Sequence, residues 1–207
     1  MSSGILIGTG LGVYYNNATI VVVDIVTIAV VAALLRRAGF SLRDLLPRFT
    51  LADLGWGLLF SVILVVGFAA SNFLANLIVY HGPPPRDTSA PSVPLWLGWL
   101  SLIVMPATIA LAEELLYRGY GQHLLTLRWG RWAAWLVVAF LFGIQHIALA
   151  PVSVGFAASR FFTTFFAGLI FGALLWWRRR LWPLVIAHWV LDVLGLGLPS
   201  LFLAMQG

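Results

Sequence analysis

Apolar stretches long enough to cross a bilayer recur six times along the chain, separated by short polar connections. A crossing needs roughly 20 apolar residues. The first stretch runs near Gly12–Leu35 and the second covers Leu51–Tyr80. The third opens at Leu95, the fourth is Trp132–Ala150, the fifth Phe161–Trp177 and the sixth Leu181–Leu203. The pattern predicts an all-α, polytopic transmembrane helical bundle of about six spanning helices, forming a single integral membrane domain over 1–207. Between the first two spans, Arg36–Phe49 sets four arginines against a stripe of Phe40, Leu42, Leu45 and Leu46. That arrangement predicts a short amphipathic juxtamembrane segment lying on an anionic leaflet. Pro47 and then Thr50–Asp53 mark a stop followed by a new helix N-cap. His81–Pro94 is a proline-rich loop.

Composition agrees: 61% of residues are hydrophobic and 9% charged, which excludes a soluble globular domain. No cysteine is present, which removes disulfides, thiolate chemistry and cysteine-based zinc sites. The net charge of +5 resides in connecting loops and reports orientation rather than nucleic-acid binding. Arg36, Arg37, Arg43, Arg48, Arg128, Arg131 and Arg178 to Arg180 fall in alternate loops, against Arg86 and Arg160 in the others. Those rich loops are therefore expected to be cytoplasmic, with both termini outside. The first apolar segment lacks the basic flank of a cleavable leader and is expected to stay in place. The expected location is a bacterial or archaeal cell membrane.

Charge is rarest in Leu95–Ala112, which holds none, and the chain then reads AEELLYRGY over Ala112–Tyr120. An ionisable group in a membrane segment costs several kcal/mol unless paired, so it marks a functional site by default. At 100° per residue Glu114 and Arg118 share a stripe and neutralise each other. Glu113 points elsewhere, above Tyr117, and is left without a cation, which suits a general base. A salt-bridged cluster at a helix end is the alternative on these residues alone.

If the third helix runs to about Leu127, Glu113 lies roughly 21 Å above its inner end. His146 lies at about the same depth above Trp132. His188 and Asp192, an i, i+4 pair, lie roughly 10–17 Å above Leu181. A lone helix histidine is more often a packed polar residue than a catalyst. Three helices offering acid or imidazole at comparable depth favour one shared cavity. Phe142 sits one turn back on the face of His146.

These motifs give the chain a specific likeness. It resembles the intramembrane glutamic protease family of CAAX prenyl endopeptidases and bacteriocin-processing or immunity proteins, also called CPBP or Abi. Glu113-Glu114-Leu-Leu-Tyr-Arg118 is similar to the first family motif, Phe142 with His146 to the second, and His188 with Asp192 to the third. The likeness covers roughly 95–194, expected to be the catalytic core. It implies an endopeptidase, a hydrolase cutting near the C-terminus of a lipidated or hydrophobic membrane-tethered peptide. Glu113, aided by His146, would activate a water, and His188 with Asp192 would stabilise the oxyanion. Glu114 and Arg118 would be the pair that fixes the helix, with Tyr117 and Phe142 supporting the site. Asp192 donates to an oxyanion only if protonated, so the favoured role is to orient His188.

The likeness implies no metal or other cofactor. Two histidines and two carboxylates are also legitimate zinc ligands, but no HExxH is present and zinc is the less favoured reading. The expected partners are the bilayer and a peptide or lipidated protein substrate, and no nucleic acid. A second class stays open: a non-catalytic immunity or scaffold protein, or a proton-relay protein, using the same buried acids. Asp24 lies mid-span, lining the cavity or bonded to a neighbouring helix. Asn16, Asn17 and Asn72 are expected to bond between helices, and Gly168 with Gly172 to pack helices closely.

Overall fold

A computed structural model describes residues 12–85, 94–147 and 153–206, with side chains from Ala18 onward. Among the described residues all regular structure is helical. Helix α1 is Gly12–Arg37, α2 the single turn Leu42–Leu45, and α3 Leu51–Tyr80. A long rod follows: α4 Leu95–Trp99, a π-helical turn Leu100–Val104, α5 Met105–Glu113, a second π-helical turn Glu114–Gly121, and α6 Gln122–Ile147. Then come α7 Val154–Arg178, α8 Trp182–Asp192, a π-helical turn Val193–Gly197, and α9 Leu198–Gln206.

Five stretches are long and apolar enough to cross a membrane, one of them the 53 residues Leu95–Ile147. A straight helix of that length would measure about 80 Å, far beyond a core of about 30 Å. It folds back instead. Gly130, at φ 81° and ψ 166°, leaves helical geometry inside α6 and supplies the reversal. Across it Tyr117 meets Phe142 and Gln145, so the two arms run antiparallel. The third and fourth predicted spans are these two arms.

Residue choice explains the helix ends. Gly39, at φ 80°, follows α1, and Phe40 N–H donates to Leu35 O at 2.9 Å, closing the helix. Thr50 caps α3 as the pattern predicts, with Asp53 reaching back to its N–H at 2.8 Å. The fifth span starts seven residues before its predicted Phe161. The amphipathic segment is only partly as expected. Its helix is one turn long, and Leu42, Leu45 and Leu46 pack on the protein core, while Phe40 stays exposed.

The bundle is apolar outside and partly polar inside. Val22, Val23, Val26, Leu58, Val62, Val66 and Phe73 are exposed, as lipid-facing residues would be. Asp24, Ser61, Ser71, Asn76, Thr163 and Thr164 are buried. Ser159 donates to Asn76 Oδ1 at 2.7 Å between α7 and α3. Asn72 is exposed, so the interhelical asparagine is the one four residues on. Small residues set the approach of α6 and α7: a Cβ on Gly168 would lie 3.1 Å from Ala139 Cα, and one on Gly172 2.5 Å from the Trp135 ring.

The arginine-rich connections share one face. Arg180 bonds Asp53 at 2.6 and 2.7 Å and the Arg48 carbonyl at 3.1 Å, and Trp182 Nε1 donates to Pro47 O. Arg131 stacks over Trp132 and Trp176, and Arg178 over Trp56. The side chains of Asn16 and Asn17, with Arg86 and the rest of 86–93, lie outside the described residues.

Asp53 is buried, caps α3 and ties it to the loop before α8. Replacing Asp53 with Ala removes the acceptor of the Thr50 N–H and hydroxyl and leaves Arg180 without its carboxylate. The expected cost is about 2 kcal/mol in detergent-micelle unfolding. A loss below about 0.5 kcal/mol would show that this tie is ornamental.

Candidate active site

Helices α5, α6 and α8 and the π-helical turn Glu114–Gly121 carry the candidate side chains, and α7 closes the back. Glu114 is fully buried. Its Oε1 accepts from Arg118 Nη1 at 3.3 Å and from His188 Nδ1 at 2.9 Å. One carboxylate oxygen thereby joins its own helix to α8. Arg118, itself buried, also donates to Gly168 O at 3.5 Å on α7. Its guanidinium lies 4.3 Å from the Phe142 ring centre and 4.6 Å from that of Phe171, between two aromatic faces.

Glu113 is also buried but turns to a different set of neighbours. Its Oε1 accepts a hydrogen bond from Gln145 Nε2, and Gln145 Oε1 accepts one from the Tyr117 hydroxyl. The other oxygen, Oε2, lies 3.7 Å from His188 Nε2, and Asp192 Oδ2 lies 3.6 Å from the same nitrogen. Those separations are charge contacts, too long for hydrogen bonds. Neither Glu113 Oε2 nor Asp192 Oδ2 has a hydrogen-bond partner among the described residues. Two carboxylate oxygens and one imidazole nitrogen therefore face a common point.

The histidines differ in what holds them. Nδ1 of His188 faces a carboxylate, so it donates and Nε2 is presented toward Glu113 and Asp192. Its ring packs on Phe171 with centres 4.7 Å apart. Nδ1 of His146 lies 2.8 Å from Phe142 O, and a carbonyl only accepts. That nitrogen thus carries a proton, and Nε2 of the neutral ring offers a lone pair.

Measured against the sequence, Glu113, Glu114, Arg118, His188 and Asp192 come together, with Tyr117 and Phe142 lining the same place. His146 sits beside Phe142, ring centres 4.6 Å apart, and makes no bond to Glu113. Gln145, which sequence reasoning passed over, occupies that position. The available signal was its place in Phe142–His146, one residue from a candidate histidine. The ring of His188 is oriented by Glu114 rather than by Asp192, because the Glu114 contact is the short one. Asp24 resolves to its second alternative, accepting from Thr108 Oγ1 at 2.8 Å on α5. Among the described residues no group of three or more His, Cys, Asp or Glu side chains is arranged to hold a metal ion.

The helix bearing Glu113 continues through Leu127 to the break at Gly130, as its expected depth assumed. A Cβ on Gly119 would touch Leu181 and Leu45, at the level of the arginine-rich loops. Glu113 is six residues from Gly119, about 9 Å above that level. The helix runs on past it, with Leu127 and Trp129 exposed. His188, seven residues above Leu181, reaches a similar height of about 10 Å.

Residues 94–194 match the family model for Rce1-like proteins, described as type II CAAX prenyl endopeptidase Rce1-like. Comparison with curated proteins and with solved structures gave no match. The Rce1-like stretch runs from the start of α4 to the π-helical turn after α8 and holds every residue of the cluster. Helices α1 to α3 lie outside it, although α3 packs along α7 and α8 and α1 along α5.

Arg118→Leu leaves Glu114 buried with His188 alone to balance it. The expected loss is about 3–5 kcal/mol of stability in nanodiscs. Arg118→Lys should recover part of it. A leucine variant as stable as the parent would mean that Glu114 is neutral or solvated.

Proposed function

We propose that this protein is an intramembrane endopeptidase of the glutamic type. It would hydrolyse a peptide bond near the C-terminus of a lipidated or otherwise membrane-tethered peptide. One observation carries the reading: Glu113 presents a buried carboxylate oxygen toward His188 and Asp192 while Glu114 absorbs the arginine. The Rce1-like match over 94–194 supports the same reaction class.

In this mechanism a water bound at Glu113 Oε2 gives its proton to that carboxylate and attacks the scissile carbonyl. Gln145 holds Oε1, so the catalytic oxygen is aimed rather than free to rotate. His146, through its Nε2 lone pair, assists when substrate brings water between it and Glu113. In its cationic form, with both ring nitrogens protonated, His188 donates Nε2–H to the tetrahedral oxyanion while Nδ1–H stays on Glu114. Asp192, at 3.6 Å, favours the cationic form of His188 by charge. Collapse of the intermediate returns the proton from Glu113 to the leaving amine. No net proton is consumed. A proton relay or a non-catalytic scaffold uses the same acids but gives no reason for the cluster of Nε2 and two open carboxylate oxygens. The arginine-rich face is assigned to the cytoplasm by the positive-inside rule, which sets the site about 10 Å from it.

Glu113→Gln should lower cleavage of a farnesylated CAAX peptide by at least 100-fold, read by mass spectrometry on the nanodisc-embedded protein. The fold should persist, because glutamine keeps the bond to Gln145. Gln145→Leu should lower kcat about tenfold or more with little change in KM, since it loosens the base rather than the substrate. Undiminished turnover in Glu113→Gln would falsify the mechanism.

A further inference from the structure

Arg160 is a cation that the proposed chemistry does not use. It lies on α7, six residues inside the Val154 end, about 9 Å along the helix. The register of α6 against α7 fixes its level. A Cβ on Gly143 would lie 2.9 Å from the Phe161 ring, and one on Gly168 would meet Ala139. Counting back from those contacts sets Arg160 across from Gln145 and His146. Its charge acts on Asp192, Glu113 and His146. It shares a helix stripe with the buried Thr164, Ala167 and Phe171, whose ring packs on His188, and its own side chain is exposed at the Val154 end of that stripe. Among the described residues no carboxylate forms an ion pair with it. Arg118 is paired and Arg131 and Arg178 are stacked on rings, whereas no such contact engages Arg160 among the described residues, and a guanidinium so placed in a membrane segment calls for an anion.

We infer that Arg160 receives the free C-terminal carboxylate of the bound peptide and so fixes how far from its end the chain is cut. The inference rests on the endopeptidase reading and names the feature of the substrate that this site selects. A guanidinium fork matches a carboxylate in two parallel hydrogen bonds, so the group recognised is planar and anionic. The cation stands beside the cluster, not within it. The recognised end therefore lies a short way past the scissile bond, about one to three residues of extended chain. The side chain's other natural occupant is a lipid phosphate, reached by snorkelling toward the Val154 end. The register with His146 and the helix stripe shared with Phe171 favour the side facing the cluster.

The test uses the full chain in nanodiscs of zwitterionic lipid. In an otherwise inactive Glu113→Gln background, an N-acetylated Val-Ile-Ala tripeptide is offered as the free acid and as the C-terminal amide. Binding is read by thermal shift. The acid should bind at least tenfold more tightly, the preference should vanish in Arg160→Gln, and Arg160→Lys should restore part of it. This result stands even if the parent protein hydrolyses nothing, in which case the endopeptidase reading alone fails. Equal binding of acid and amide overturns the inference, as does a preference that survives in Arg160→Gln. Either would mean that the arginine serves lipid. Hydrolysis of a farnesylated peptide by the parent would then leave the endopeptidase reading intact.

Discussion

A single carboxylate oxygen holds the centre of this molecule together. Oε1 of Glu114 is fully buried and accepts from both Arg118 and His188. Removing a carboxylate from water costs several kcal/mol, and only near neighbours of opposite charge return it. Arg118 is one such neighbour and is itself trapped between Phe142 and Phe171. Through these contacts the helix bearing the acids is fastened to α6, α7 and α8 at one height. Close approach of α6 and α7 at Gly168 makes the Arg118 bond to the Gly168 carbonyl reachable. Packing and electrostatics therefore specify the same arrangement.

That constraint explains the division of labour between adjacent glutamates. They are chemically identical, yet successive residues on a helix point about 100° apart. Glu114 faces the arginine and becomes structure. Glu113 faces Gln145, His188 and Asp192 and keeps an oxygen open. The segment from Glu114 to Gly121 is π-helical, and the one after Asp192 is too. Such turns carry an extra residue and occur disproportionately at functional sites. Here they bracket the cluster on both of its principal chains.

Much of this was legible in the sequence because the bilayer restricts what a chain can do. Length and apolarity gave the spans, and the Thr50–Asp53 pattern gave a helix start that the capping geometry bears out. Gly168 and Gly172 pack as small residues should. The Glu114–Arg118 pair follows from i, i+4 spacing alone. What stayed hidden required knowing which faces meet. Gln145 looks like any polar residue until α6 is set beside α5. His188 bonds Glu114 across 74 positions, and no periodicity encodes that. Asn72 and Asn76 are equivalent in composition, and only the rotation of α3 against α7 decides which one is buried. The continuation of the third helix to about Leu127 was legible as well, and the structure breaks it only at Gly130.

The central claim is that Glu114 bridges to His188 and so frees Glu113. A double-mutant cycle between Glu114→Gln and His188→Gln, followed by reversible unfolding in nanodiscs, measures that bridge most directly. The account predicts a coupling energy of about 1 kcal/mol or more, the signature of groups in direct contact. Effects that add within about 0.3 kcal/mol would contradict it, because the two side chains would then be independent and nothing would hold the imidazole against Glu113.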